Sequence, residues 1–345
     1  MNLKELSERL DLSPTTVSRA LNGYPEVNEA TRRRVTEAAE RYNYRPNARA
    51  LHLATGRSMS IGHIIPFSKQ NEIVNIVFAD FIAGAGEVYS LNGYNMTLSV
   101  VRDDEEFDTY RRLAETGSVD GLIVQSPVCD DPRITHLAQL SVPFLVHGRA
   151  SDIDTPYAWM DVNNTRALEV LTGHLLDLGH RRIGFINGQE KMDFAQRRRA
   201  GYLRALEKAG IEPDPALMHS VEMSEQNGHT SASIMLDLDE PPTAFVASSI
   251  VPALGIRRAV SARGHVLGRD ISVACFDDDI SYLSNGGDRP EFTAVRSSVR
   301  DAGRRCAQML IDRIRAPDGP LCHDLWEAEL ILGQSTGPCP EGCVS

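Results

Sequence analysis

Three aspartates stand together in ACFDDD, Asp277 to Asp279, directly behind an apolar run, and three arginines crowd QRRRAGYLRAL at Arg197, Arg198 and Arg199. A carboxylate can accept two hydroxyl hydrogen bonds from a polyol while a guanidinium donates to neighbouring oxygens. That is the chemistry of sugar binding, commonly completed by an aromatic ring against the apolar face of a pyranose. Helical periodicity alone does not say which arginine faces a cleft. No nucleophile–base pair and no metal-ligand spacing such as HExxH accompanies the carboxylates, so they point to binding, and neither a cofactor nor a metal is expected. An enzyme using the aspartates for metal or acid chemistry is the competing class, which turnover of a sugar or phosphate ester would reveal.

A second kind of chemistry lies near the start, in SPTTVSRALNG. Val17, Ala20 and Leu21 fall at helical spacing and turn one face inward. Thr15, Ser18, Arg19 and Asn22 lie on the other side of a helix narrow enough to enter a major groove, where arginine can grip guanine through two hydrogen bonds. Upstream, Leu3, Leu6 and Leu10 mark a first short helix with Asn2 as its cap and Asp11 in the turn. Ser13 caps the second helix, whose first-turn Pro14 costs no hydrogen bond. A third helix, capped by Asn28, carries Val35, Ala38, Ala39 and Tyr42 inward. Three short helices with a tight turn between the first two make a helix-turn-helix domain. Arg32, Arg33 and Arg34 crowd the beginning of the third helix, where the macrodipole disfavours cations and phosphates would offset that placement. The segment from Asn47 to Ala54 could form a helix of only about eight residues, marginal alone in water. With a partner chain and DNA to order it, Leu53 could wedge between base steps in the minor groove.

Charge supports such a head. Residues 1 to 60 hold ten Lys/Arg against seven Asp/Glu, or +3, leaving 26 against 40, or −14, for the remainder of a chain whose total is −11. Phosphates see mainly the field within about a Debye length, so an acidic body does not exclude a nucleic-acid partner. No apolar run approaches the roughly 18 residues of a membrane helix, and MNLKELSERL has no apolar segment of the secretory kind, so no membrane partner and a cytoplasmic location are expected. The six cysteines are scattered apart from Cys339 and Cys343, and reduced thiols are expected.

After Ile61, SIGHIIP, MTLSVV, GLIVQSP and PFLVHG read as buried strands, and RIGFING, TAFVASS and ISVACFD continue the series with helices between them. Alternation of this kind predicts an α/β body of two parallel sheets, each with five or six strands. Ligands of open α/β sheets bind beyond the carboxyl ends of the strands, which selects Gln125, Ser126, His147, Ser248 and Asp277. A transport binding protein shares such a body but needs an export signal.

At TTVSRALNG, VNEATRRRV and YRPNARALHLATGRSMSIGHIIP the chain resembles the DNA-binding head and hinge of the LacI/GalR family of bacterial transcriptional regulators, and the resemblance covers nearly the whole chain. It implies a helix-turn-helix head over 1–46, a hinge over 47–58, a two-lobed flavodoxin-like effector and dimerisation domain over 59–338, and a tail over 339–345. It further implies a homodimer on a pseudo-palindromic operator, with base contacts from Pro14, Thr15 and Arg19, Leu53 as the wedge, and Thr16, Ser18, Asn22 and Asn28 completing the DNA-facing set. Asp11 stands where the family usually has a turn glycine, and Asp tolerates the left-handed region. Of the three arginines the resemblance selects Arg198. It places Asp277 as the ligand carboxylate and Asp161 and His147 at contact positions, puts Ser248 and Ser249 where an Asn-Asp pair is common, and sets Met223 near a frequent aromatic position. Trp159, Phe194 and Phe78 are candidate stacking rings, and Asn75 survives from the family's usual run. LKELSERLDLSPTTVSRALNGYPEVNEATR and FLVHGR are most similar to members controlling α-glucoside uptake, implying maltose, sucrose or trehalose as effector. Sugar phosphates, other glycosides and nucleosides stay open, as does activation or corepression in place of repression.

Overall fold

Leu3–Leu10 (α1), Pro14–Leu21 (α2) and Glu29–Arg41 (α3) build the first of two units, residues 1–58, in the computed structural model of the chain. Residues 1–21, 24–44, 57–66, 75–286 and 289–340 are described. Asn22, Leu53 and most of the expected hinge therefore lie outside the described residues. Asn2 and Glu5 close a capping box on α1, and Asp11 ends it in the left-handed region at φ 52°. Ser13 Oγ accepts from the Thr16 amide at 3.0 Å to start α2, and Asn28 Oδ1 accepts from the Thr31 amide at 2.8 Å to start α3. Leu6, Leu10, Val17, Ala20, Val35, Ala38 and Ala39 form the core, with Tyr42 packed partly buried at its edge.

The second unit begins at Met59. Its strands are Ser60–Pro66 (β1), Asn95–Val101 (β2), Gly121–Gln125 (β3), Phe144–His147 (β4), Ala158–Val162 (β5), Ile183–Asn187 (β6), Met218–Ser220 (β7), Ala244–Ala247 (β8), Ser272–Asp277 (β9), Thr293–Arg296 (β10), His323–Trp326 (β11) and Glu329–Ile331 (β12). They make two six-stranded sheets, ordered β2-β1-β3-β4-β5-β11 and β7-β6-β8-β9-β10-β12. Every pairing is parallel except β10 with β12. The chain reverses its direction of progress between β1 and β3 in one lobe and between β6 and β8 in the other, the switch points where such folds bind ligands. MTLSVV corrects one expectation: β2 is an edge strand, with Leu98 and Val100 exposed, because no strand among the described residues pairs with its outer side.

The helices of this unit are Ile76–Leu91 (α4), Glu106–Glu115 (α5), Pro132–Ala138 (α6), Asn164–Asp177 (α7), Asp193–Lys208 (α8), Glu225–Leu236 (α9), Ile250–Ala262 (α10) and Val299–Arg315 (α11). Three helix pairs cross on glycine. A Cβ at Gly84 of α4 would lie 2.0 Å from the Arg300 carbonyl of α11, one at Gly201 of α8 would lie 2.1 Å from the Thr165 carbonyl of α7, and one at Gly255 of α10 would lie 2.0 Å from the Glu225 carbonyl of α9. Backbones approach this closely only without a side chain between them.

The chain passes between lobes after β5, after β10 and after β11. Asn163 ties two of these crossings, its amide donating to Trp326 O at 2.8 Å and its Nδ2 to Glu327 Oε1 at 2.8 Å. The C-terminal segment docks along the second lobe: Val273 N donates to Ser335 O at 2.8 Å and Cys339 N to Leu178 O at 2.9 Å.

Candidate functional site

On α2 the apolar positions spend themselves in the core, and Pro14, Thr15 and Arg19 are left exposed. Ser18 is half-buried. Thr16 is half-buried too and its hydroxyl lies 2.8 Å from Ser13 Oγ, so it serves the cap of α2. Asn28 is likewise committed to the cap of α3. The arginine run behaves differently from the phosphate reading. Arg32 donates to the carbonyls of Tyr24 and Val27 at 3.0 and 3.4 Å, and Arg34 donates to Leu10 O at 2.7 Å, while exposed Arg33 pairs with Glu37 at 3.3 Å. Arg32 and Arg34 pin the loop before α3 and the end of α1, satisfying carbonyls that helix ends leave open.

In the second unit Arg198 is the arginine that turns inward, 6% exposed. Its Nε donates to Asn164 Oδ1 at 2.8 Å, its Nη1 donates to Ser248 O, and its guanidinium carbon stands 3.9 Å from the Phe276 ring centroid and 5.0 Å from that of Phe194. Burial lowers its pKa to about 10, so it stays charged at neutral pH. The neighbours do other work: Arg197 pairs with Asp193 and donates to Ser151 Oγ at 3.0 Å, and half-exposed Arg199 pairs with Glu190 at 3.6 Å.

From Arg198 a polar chain runs into the other lobe. Asn164 Nδ2 donates to Asp161 Oδ1 at 3.3 Å, and Asp161 Oδ2 accepts from Arg149 Nε at 2.8 Å. Burial holds the Asp161 carboxyl above its ordinary range, against the pull of Arg149. Four residues from both lobes are thereby aligned, and two of them, Asn164 and Arg149, escaped sequence reading. Asn164 carries no signal beyond following a strand end, and Arg149 stands in the same HGR as His147.

The aspartate triplet divides its labour. Asp277, 1% exposed, accepts from Asp279 N at 2.9 Å and from Arg296 Nε at 3.2 Å, so its oxygens hold the loop and β10. Half-buried Asp278 is the carboxylate that feels Arg198, and it accepts from Ser249 Oγ at 3.3 Å. Burial raises its pKa to about 6, opposed by Arg198 and reinforced by Asp277. Among the described residues the hydroxyl of fully buried Ser248 has no partner, and neither has the buried side-chain nitrogen of Gln125.

The remaining expected positions scatter. Phe78 is buried and borders a small cavity with Gln125. His147 is half-buried, stacks on Phe81 at 4.5 Å and is pushed down to a pKa of about 4 by burial. Phe194 packs over Gly188, where a Cβ would come 3.2 Å from its ring and 3.4 Å from the Met223 sulfur. Asn75 accepts from Val77 N at 3.0 Å and so caps α4. Trp159 stacks on His323, with centroids 4.9 Å apart and planes 12° apart, and Arg149 lies 5.0 Å from its centroid.

The lobes also meet at the rim. Pro127 O accepts from Asp193 N at 3.0 Å, Val128 bridges Met192, and Ser151 donates to Asp193. Asp80 of α4 accepts from Ser281 N at 2.9 Å, from Ser281 Oγ at 2.6 Å and from Arg300 at 2.8 Å.

Residues 2–47 match the profile of the bacterial regulatory proteins of the lacI family, and residues 172–336 match the periplasmic binding protein-like domain. The HTH-type transcriptional regulator AglR of Rhizobium meliloti is 43% identical over 341 residues, 99% of this chain and 96% of that protein. The transcriptional regulator CelR in complex with cellobiose is 27% identical at a TM-score of 0.70, covering 97% of this chain and 99% of that one. The lac repressor dimer bound to operator and the anti-inducer ONPF is 25% identical at a TM-score of 0.81, again covering 97% and 99%. A helix-turn-helix head with an exposed face on its second helix, followed by a two-lobed body, thus has full-length counterparts. The chain belongs to the LacI family and is a DNA-binding transcriptional regulator, not an enzyme.

Proposed function

We propose that this regulator is a cytoplasmic homodimeric repressor of sugar-utilisation genes, released from its operator by a neutral α-glucoside held between the lobes of its second unit. The observation that carries this reading is the Arg149–Asp161–Asn164–Arg198 chain, which ends beside the unpartnered hydroxyl of Ser248. Both arginines are already balanced, Arg149 by Asp161 and Arg198 by Asp161 and Asp278. A phosphate would need uncommitted positive charge, whereas a polyol needs neutral donors and acceptors in fixed places. Asp278, Ser248, Gln125 and Arg198 supply the polar contacts, with Phe194 along the apolar face of a sugar. Asp277 supports the loop that presents Asp278. Pro14, Thr15 and Arg19 read bases from α2.

A sugar that binds the DNA-free form more tightly weakens operator binding by the same factor, and a coupling of about 1–3 kcal/mol gives a useful response. The test is the melting temperature of the purified protein with maltose, sucrose, trehalose, glucose 6-phosphate and adenosine, because a ligand bound only to the folded state raises stability by mass action. A rise with an α-glucoside, followed by release of labelled operator at the same sugar concentration, is the expected result. A rise confined to glucose 6-phosphate or adenosine overturns the proposed effector class.

A further inference from the structure

His63 is a polar residue in the middle of an apolar strand, 2% exposed, and the DNA and carbohydrate readings leave it unused. On β1 it pairs with Ile123 of β3, two residues before Gln125, so the His63 and Gln125 side chains share one face of the sheet. That place is the switch point of the lobe. The ring's Nε2 lies 3.1 Å from the Tyr89 hydroxyl, while Nδ1 is buried without a partner among the described residues. The Gln125 side-chain nitrogen is also buried without a partner among these residues. His63 and Gln125 border one cavity of about 10 Å³, together with Phe78, Ile123, Pro66 and Arg133. About 10–15 Å³ on this measure is the room one water needs.

We propose that the floor of the first lobe carries a one-oxygen site between His63 Nδ1 and Gln125 Nε2, filled by a water or by a hydroxyl of the bound carbohydrate. A buried donor or acceptor left unpaired forfeits its hydrogen bond to water, and one oxygen satisfies both. The imidazole is neutral here, since burial lowers its pKa to about 4. A neutral ring carries one proton. The phenol of Tyr89 is the stronger donor and gives its proton to Nε2, which leaves the ring proton on Nδ1, aimed at the cavity. The Gln125 amide donates from the other side. An oxygen accepting two hydrogen bonds fits this pair; an anion does not, because Arg133 already spends its charge on Asp131 at 2.6 Å. The site fixes the Gln125 amide at the strand end that faces the effector, making His63 a positioning residue when water fills it and a ligand contact when a sugar hydroxyl does.

This inference deepens the carbohydrate reading but its first test is independent of it. High-resolution crystals of the effector-free protein are expected to hold an oxygen within hydrogen-bond distance of both nitrogens, and nitrogen-15 spectra of the histidines are expected to show His63 protonated on Nδ1. An unoccupied site, or a ring protonated on Nε2 with Nδ1 unbonded, overturns the proposal. Crystals soaked with maltose then separate the sources: an unmoved oxygen is a resident water, and a sugar oxygen in its place is a ligand hydroxyl. In solution His63→Gln keeps a group for Tyr89 and withdraws the one at the cavity, whereas His63→Asn does the reverse. With melting curves confirming that both fold, His63→Gln is expected to weaken binding of the sugar that shifts the wild-type melting temperature by about tenfold, and His63→Asn by less than about threefold. Equal affinity of His63→Gln and wild type overturns the site. Should no carbohydrate bind, the effector reading falls while the effector-free crystals still decide this one.

Discussion

Neighbouring side chains of one type do different work in this chain. Asp277 and Asp278 adjoin in sequence, yet one carboxylate is consumed by Arg296 and its own turn and the other faces Arg198. Asp277→Asn is therefore expected to cost about 1–3 kcal/mol of stability in urea unfolding, by weakening a buried charge-assisted contact. Asp278→Asn is expected to leave stability near neutral pH intact or higher and to abolish the thermal response to sugar. The pH sign follows from its raised pKa. With about 6 in the folded chain against an ordinary 3.8, protonated Asp278 contributes stability that is fully present below about pH 4 and lost as pH rises through about 6. The melting temperature of Asp278→Asn should gain on wild type across that window, and parallel curves would remove Asp278 from the buried set. On the DNA side, Arg19→Ala is expected to cost roughly 1–3 kcal/mol per half-site in operator binding with the fold unchanged. Undiminished discrimination between operator and random DNA in a fluorescence-anisotropy titration would contradict the groove assignment. The arginines of α3 carry a further lesson: type and macrodipole suggested phosphates for all three, whereas Arg32 and Arg34 bond to carbonyls brought close only by folding.

At the scale of elements, the helices are held at distances that glycine sets. Gly201 lets α8 lie on α7, while Gly173, also in α7, faces open space. Gly201→Ala should destabilise by about 1–3 kcal/mol or more through forced separation of the helices. Gly173→Ala should instead stabilise by about 0.5–1 kcal/mol, because it removes unfolded-chain entropy without a clash. Chemical denaturation of the two variants tests the crossing geometry, and a neutral Gly201→Ala would contradict it. Most elements were legible in sequence: the caps at Asn2, Ser13 and Asn28, the left-handed Asp11, and the apolar runs of β1, β3, β4, β6, β8 and β9. The short β7, β10, β11 and β12 were not, being three or four residues long with no run of their own. They become strands because a neighbouring edge offers backbone partners.

For the whole molecule, charge is partitioned between a head of +3 and a remainder of −14. Phosphate binding by a pair of such heads releases counterions, so operator affinity should fall at least about a hundredfold between 50 and 200 mM salt, while the proposed binding of a neutral sugar, which displaces no counterions, should change little. Titrations at several salt concentrations check both, and a salt-independent operator affinity would exclude a phosphate-dominated interface.

What the sequence by itself determined is local and periodic: helix spacing and caps, the order of strands and helices, and the uneven charge. These depend on residues a few positions apart, so a linear reading contains them. Only the tertiary structure decided which of Arg197, Arg198 and Arg199 turns inward, that Asp278 and not Asp277 feels it, that Asn164 and Arg149 join the chain, and that Asn75 is spent on a cap and Trp159 stacked on His323. The physical reason is that a side chain's partners at a strand end come from other strands and from the other lobe, brought within 3.2 Å by sheet register and by crossings more than a hundred residues apart. Spacing along the chain carries no trace of that distance.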